Sequence, residues 1–401
     1  MKTTRRKLIL AAAVFPSWAL VGCADLRGTP PEGSGDLGVV IGRASGTVAI
    51  VNTSRRELLA KVGGLGDLSH ASVVFSRDGR FAYVFGRDGA LSKVDLLQRR
   101  LVQRIMQAGN SIGGAVSADG RYVAAQNYTP GGVKIFDAQT LQLIADIPAE
   151  YAPGKLSRVV GLVDLPGQRF AYSLFDADAI WIADLSDPQH PQYPRITRLE
   201  NIGKQPYDAL VTPDGRYYIA GLFGEDGLTL VDLWDDAPRA RRILNGYGRG
   251  QQPLPVYKMP HLRGWAVAGR RAYLPAIGRH EVLVVDTETW QEVGRIPVAG
   301  QPVFVIARPD GRQVWVNFAV PDYDRVQVID TPSQRIIATL TPGKAVLHME
   351  FTPRGEAVWI STRDDNRVTV VDTLSLKTLA TLPVDAPSGI FFTARAARIG
   401  F

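Results

Sequence analysis

The sequence predicts an all-β fold, an eight-bladed β-propeller with seven blades as the fallback, and three observations carry that prediction. The first is a unit of about 40 to 55 residues that recurs along the 401-residue chain. The second is the composition of that unit: an apolar run, an Asp-Gly-Arg turn, a second run, a loop, and a third run ending in Asp. The third is period-two alternation inside the runs, as in Arg80-Phe81-Ala82-Tyr83-Val84-Phe85 and Arg367-Val368-Thr369-Val370-Val371-Asp372. Several short strands per repeat, closing radially, describe a propeller better than a sandwich or an ordinary barrel.

The units follow in order. Gly38-Val39-Val40-Ile41, Thr47 to Asn52 and Leu58 to Val62 read as strands that lack the strand before them. Complete units have turns at Asp78-Gly79-Arg80, closed by Val94-Asp95, and at Asp119-Gly120-Arg121, closed by Phe136-Asp137. Others turn at Asp214-Gly215-Arg216, closed by Val231-Asp232, and at Asp310-Gly311-Arg312, closed by Ile329-Asp330. Pro353-Arg354-Gly355-Glu356 with Val371-Asp372 completes the regular set. Weaker copies stand at Leu165-Pro166-Gly167-Gln168-Arg169 and Val267-Ala268-Gly269-Arg270-Arg271. Gly accepts positive φ at little cost and Asp bonds its own backbone, so Asp-Gly makes a tight hairpin. The tail, Ser388-Gly389-Ile390-Phe391-Phe392-Thr393, is expected to supply the strand missing at the front. A blade shared by the two termini closes the ring and leaves no open edge.

Residues 1–22 read as a signal peptide. Arg5-Arg6-Lys7 precedes an apolar stretch from Leu8 to Val21 that is too short to span a bilayer. It ends in Leu20-Val21-Gly22-Cys23, a lipobox-like sequence that makes Cys23 the acylated residue. Twin-arginine and general secretory export both fit. Residues 23–36, rich in Pro, Gly and acidic groups, read as a lipid-anchored flexible tether, and 37–401 as the propeller. The expected address is periplasmic, on the outer membrane, because Ala24 is not the aspartate of inner-membrane retention. Cys23 is the sole cysteine, which excludes a disulfide and a CxxCH haem attachment. The net charge of +7 lies in scattered turns rather than a basic block, which with export argues against nucleic acid and for an anionic small ligand or acidic partner.

No P-loop, GxSxG, HExxH or paired-cysteine site is present. Of five histidines, His190 and His280 fall in polar turns and read as solvated. His70, His261 and His348 each precede the first strand of a unit, where a propeller lines its funnel. Arg87, Arg158 and Arg263 occupy similar loops. Imidazoles that reach iron or orient a proton, with guanidiniums that pair with carboxylates, suit a metallated polycarboxylate macrocycle.

The segment Leu68-Ser69-His70-Ala71-Ser72, leading into Gly86-Arg87-Asp88-Gly89, resembles the start of the d1-haem propeller of cytochrome cd1 nitrite reductase. The resemblance implies that His70 is the proximal iron ligand and that Arg87 contacts the macrocycle. Ser157-Arg158-Val159-Val160 is similar to another arginine-bearing segment of that site, and Pro260-His261-Leu262-Arg263 to one carrying a distal histidine and its following arginine. His348 and Gly389 fall where the reductase has further pocket residues. Two departures matter. The c-type haem domain is missing, and Gly203-Lys204-Gln205-Pro206-Tyr207-Asp208 stands where a second distal histidine is expected. Nitrite reduction is therefore not expected. The lone-propeller d1-haem biosynthesis family of denitrifying bacteria fits better. That resemblance implies binding of d1 haem or a late precursor, and partners among nitrite reductase and other d1-pathway proteins. It leaves a homodimer open.

Asp208 and His261 on one side of the macrocycle are an expected general acid and base pair, any oxidation needing an external acceptor. Two further readings stay open: a chaperone that delivers finished d1 haem without chemistry, and a scaffold that docks partner proteins.

Overall fold

The computed structural model describes residues 33–247 and 264–400. Among them are eight four-stranded antiparallel sheets, arranged as the blades of a propeller, and one two-stranded hairpin, Glu150–Ala152 with Lys155–Leu156. Blade 2 shows the pattern: Ser72–Phe75 innermost, then Phe81–Phe85, Ala90–Asp95 and, outermost, Arg100–Met106. Blades 3 to 8 begin at Asn110, Val159, Pro206, Ala266, Pro302 and Val346. The expected eight blades are all present. Blade 1 is the shared one: Pro387–Phe392 is its inner strand and pairs antiparallel with Leu37–Gly42, Val39 opposite Phe391.

The recurring residues have one structural reason. In each regular turn the glycine has φ between 68° and 75° (Gly79, Gly120, Gly215, Gly311, Gly355), a region that costs a residue with a Cβ. The turn aspartate accepts the N–H two residues on, as Asp78 does from Arg80 at 3.0 Å. The arginine then reaches the aspartate that ends the third strand: Arg80 to Asp95 at 2.9 Å, Arg216 to Asp232 at 2.7 Å. That second aspartate also caps the following turn, Asp95 accepting from the N–H groups of Leu97 and Gln98. In blades 2 and 5 turn and strand end are thus bonded to each other through this arginine.

The core lies between neighbouring blades. Trp359 of blade 8 meets Phe392 of the closing strand edge-on at 5.5 Å, and Trp315 of blade 7 meets Phe351 of blade 8 at 5.9 Å. Residues Ser34–Asp36, assigned to the tether by composition, form a short 3₁₀ turn bonded to the ring through Thr53 N–H to Asp36 O. Among the described residues no helix is long and apolar enough to cross a membrane. The leader, Cys23, and both His261 and Arg263 lie outside the described residues.

Candidate functional site

Every inner strand runs in the same direction, so the N-terminal ends of all of them meet at one end of the channel. There residues of blades 1 to 5, 7 and 8 enclose a cavity of about 450 Å³, within the range of about 300–1,000 Å³ common to small-molecule sites. His70, Asp208, His348 and Gly389 line it. The repeat had placed His70 and His348 at equivalent blade positions, the family resemblance had pointed to Asp208 and Gly389, and the fold brings all four together. A second cleft, about 510 Å³, lies between the outer strands of blades 4 and 5; its Arg242 is paired with Glu225, and no histidine lines it.

The wall is divided by chemistry. On blades 8, 1 and 2 it is cationic. Arg43 and Arg363 line the cavity, and Arg87 lies within electrostatic reach of Arg43. Burial, then the charges of Arg363 and Arg87, hold the Arg43 pKa below its ordinary value, an effect that Asp67 offsets only in part. A cluster in this state favours an anion. These arginines stand within two residues of the end of the second strand in three adjacent blades: Arg43-Ala44-Ser45-Gly46, Gly86-Arg87-Asp88-Gly89 and Arg363-Asp364-Asp365-Asn366. Sequence reasoning found only Arg87. Aligning that turn across the repeats was the signal that finds the other two.

Blades 3 to 5 present phenols and a carboxylate. The hydroxyls of Tyr128 and Tyr207 are 3.1 Å apart, with Asp208 next in sequence. Desolvation pushes both phenols above their usual range, so they stay neutral. Arg158 sits apart from this wall. Its guanidinium is held by Asp176 at 2.6 Å and lies over Phe175, which meets Tyr207 edge-on at 6.0 Å. It does not line the cavity.

The remaining wall, on blades 7, 8 and 1, is apolar and aromatic. His348 lies between Phe304 (5.7 Å) and Phe391 (5.5 Å), and its Nδ1 accepts the Ile390 N–H at 3.3 Å. Burial, with the Arg395 charge adding to it, pushes its pKa down to about 3, so the ring is neutral near neutral pH. Arg395 is paired with Glu350 and lies 5.1 Å from the Phe391 ring. His348 is the third residue of strand Val346–Phe351, not a residue ahead of it, which turns it into the wall. His70 is exposed at the mouth, just before Ser72–Phe75. His190, half-buried with its Nδ1 accepting the Gln192 N–H, and the exposed His280 lie in turns outside the cavity.

A flat, amphiphilic, polycarboxylate macrocycle fits this wall. The cavity offers aromatic and aliphatic faces, guanidiniums and, at its mouth, the imidazole of His70. The buried Ser72 Oγ, which has no partner among the described residues, also lines the cavity.

Comparison with known proteins agrees with this geometry. The family profile described as Cytochrome D1 heme domain matches residues 32–396. The chain is 58% identical over 397 residues to "Protein NirF" of Stutzerimonas stutzeri, covering 98% of this chain and 99% of that one. It is 59% identical over 383 residues to "Protein NirF" of Pseudomonas aeruginosa, covering 95% and 96%. The solved dihydro-heme d1 dehydrogenase NirN in complex with DHE superposes with a TM-score of 0.78 at 27% identity, covering 91% of this chain and 77% of that one. AztD of Citrobacter koseri (TM-score 0.65, 12% identity, 88% and 96% covered) shares the fold alone. The chain therefore belongs to the cytochrome D1 heme domain family, and within it stands with the NirF proteins.

Proposed function

We propose that the chain serves d1-haem biosynthesis by binding d1 haem, or a late precursor of the dihydro-haem d1 type, in the funnel, and that it does so as a periplasmic, lipid-anchored protein. The carrying observation is the three-part wall: guanidiniums on one side, phenols and a carboxylate on another, aromatic rings on the third. An amphiphilic tetrapyrrole needs all three surfaces at once. The NirN relative, whose complex with DHE has the same propeller, supports the choice of ligand. In this reading His70 meets the iron and Arg43, Arg87 and Arg363 hold the carboxylates. Asp208 and, by resemblance, His261 are the pair available for proton transfer to a macrocycle side chain, with Arg263 beside the macrocycle. Nitrite reductase and other d1-pathway proteins are the partners that would supply or collect the pigment.

Holding without chemistry is the second reading, and one observation favours it. Tyr128, Tyr207 and His348 are all kept neutral by burial, which suits hydrogen bonding better than proton transfer.

An optical titration with d1 haem and with its precursor, comparing the wild-type chain with His70→Ala, tests the binding. A saturable spectral change that the substitution alters is the expected result; no change with either pigment overturns the reading. If Asp208→Ala binds normally and still supports full d1 production, the holding reading replaces the catalytic one.

A further inference from the structure

The end of the ring opposite the cavity carries the Asp-Gly turns and the turns that follow the third strands. In the latter, the residue two beyond the closing aspartate has its N–H bonded to that carboxylate. This holds for Leu97 (3.0 Å), Gln139 (2.9 Å), Ser186 (2.9 Å), Trp234 (3.1 Å), Glu288 (3.0 Å) and Leu374 (3.1 Å). The backbone is pinned, and the side chain projects outward. In most blades it is small or polar. In blades 2, 5 and 8 it is large and apolar, and Leu97, Trp234 and Leu374 are 43%, 63% and 74% exposed. Blades 8 and 2 flank the closing blade and blade 5 stands across the ring, so the three tips surround the channel axis.

The same face receives the chain from its N-terminal side. Ser34 Oγ donates to Asp78 O in the blade 2 turn at 2.9 Å. Cys23 precedes Gly33 by ten residues, a reach of at most roughly 35 Å. A tether from an acylated Cys23 would therefore join the ring at this face. Trp and Leu are the side chains that enter the interfacial layer, and cations beside them meet lipid phosphates. Arg216 lies over the Trp234 ring at 5.4 Å, and Arg99 and Lys377 follow Leu97 and Leu374 closely in sequence. The neighbouring Asp235 and Asp236 are exposed, so apolar insertion, rather than net attraction to anionic lipid, drives the contact.

We propose that Leu97, Trp234 and Leu374 form a three-point membrane-docking face, which seats the ring flat on a phospholipid surface and turns the cavity mouth toward the periplasmic water. The proposal rests on the reading of Cys23 as a lipid anchor. It gives that anchor a second, weaker membrane contact, as stable lipidated anchoring commonly needs.

The acylated full chain, reconstituted into phosphatidylethanolamine–phosphatidylglycerol vesicles, tests it. Because Cys23 is the sole native cysteine, Leu374→Cys and Lys155→Cys each add one site for a polarity-sensitive dye, Lys155 lying in the hairpin on the mouth side. The dye at 374 should shift blue and be quenched by lipid-borne bromine, while the dye at 155 stays in water. Quenching at 155, or at neither site, overturns the docking face. A blue shift at 374 that precedes the vesicles and grows with protein concentration assigns the tips to a second copy, and also overturns it. Partition of the wild-type chain is measured alongside against Cys23→Ser. If the wild type does not partition, the anchor itself fails and the docking face with it; if it partitions while 374 stays wet, only the docking face fails.

Discussion

His348 carries the clearest consequence of residue-scale physics. Its ring is desolvated between Phe304 and Phe391 and its Nδ1 is taken by a backbone N–H, so protonation would leave a charge beside Arg395. The folded pKa, about 3, lies below the unfolded value, so the unfolded chain binds the extra proton first. The sign follows: this contribution is fully present above about pH 6.5 and is lost as pH falls toward 3. Between pH 6.5 and 5, stability should fall by up to about 1.4 kcal/mol per unit from this residue. Urea midpoints at several pH values, wild type against His348→Gln, check it; an unchanged slope in the variant would assign the pH dependence elsewhere. The position of His348 was legible in the repeat. Arg43, Arg363 and the Tyr128–Tyr207 pair were not read as site residues, because arginine and tyrosine are common and only their angular positions bring them to one wall.

At the scale of elements, the shared blade is the part on which closure depends. Pro387–Phe392 supplies the inner strand of a blade whose other three strands come from the opposite terminus. Thr393 fastens the joint: its hydroxyl lies 2.6 Å from Ser34 O and 2.9 Å from Leu37 O, and the residue is buried. Thr393→Val keeps the shape and removes the donor, which should cost about 1–2 kcal/mol by leaving buried carbonyls short of a partner. A chemical denaturation curve with unchanged m-value and lower midpoint is the expected result. The strand order here was readable from the unit missing its first strand, since an unpaired edge demands a partner. The two-stranded hairpin Glu150–Leu156 was not anticipated, because it belongs to no repeat unit.

On the scale of the whole molecule, the C-terminal segment decides the shape of the channel. Arg77 donates to Val116 O, Ser117 O, Ala396 O and Arg398 O and pairs with the buried Asp164 at 2.6 Å. Gly400 N–H adds a bond to Asp164 at 2.9 Å. The tail thus crosses the ends of successive inner strands from blade 2 to blade 4 at the base, opposite the cavity mouth. Arg77→Met should cost about 3–5 kcal/mol, because it strands a buried carboxylate. Adding Asp164→Asn should recover part of the loss. Thermal unfolding of both variants checks this, and a loss under about 1 kcal/mol from Arg77→Met would mean that the tail is held by other contacts.

The sequence alone determined the blade count and the closure. Each follows from local chemistry: Asp-Gly turns need φ > 0 and a short acceptor, strands alternate with period two, and an open edge must pair. Which blade neighbours which wall of the cavity was decided by the tertiary structure. Arg43 and Arg363, 320 residues apart, act on each other only because the ring brings blade 8 beside blade 1. The desolvation that depresses Arg43 and His348, like the tail that closes the base, arises from packing around a common axis, and no stretch of sequence contains that axis.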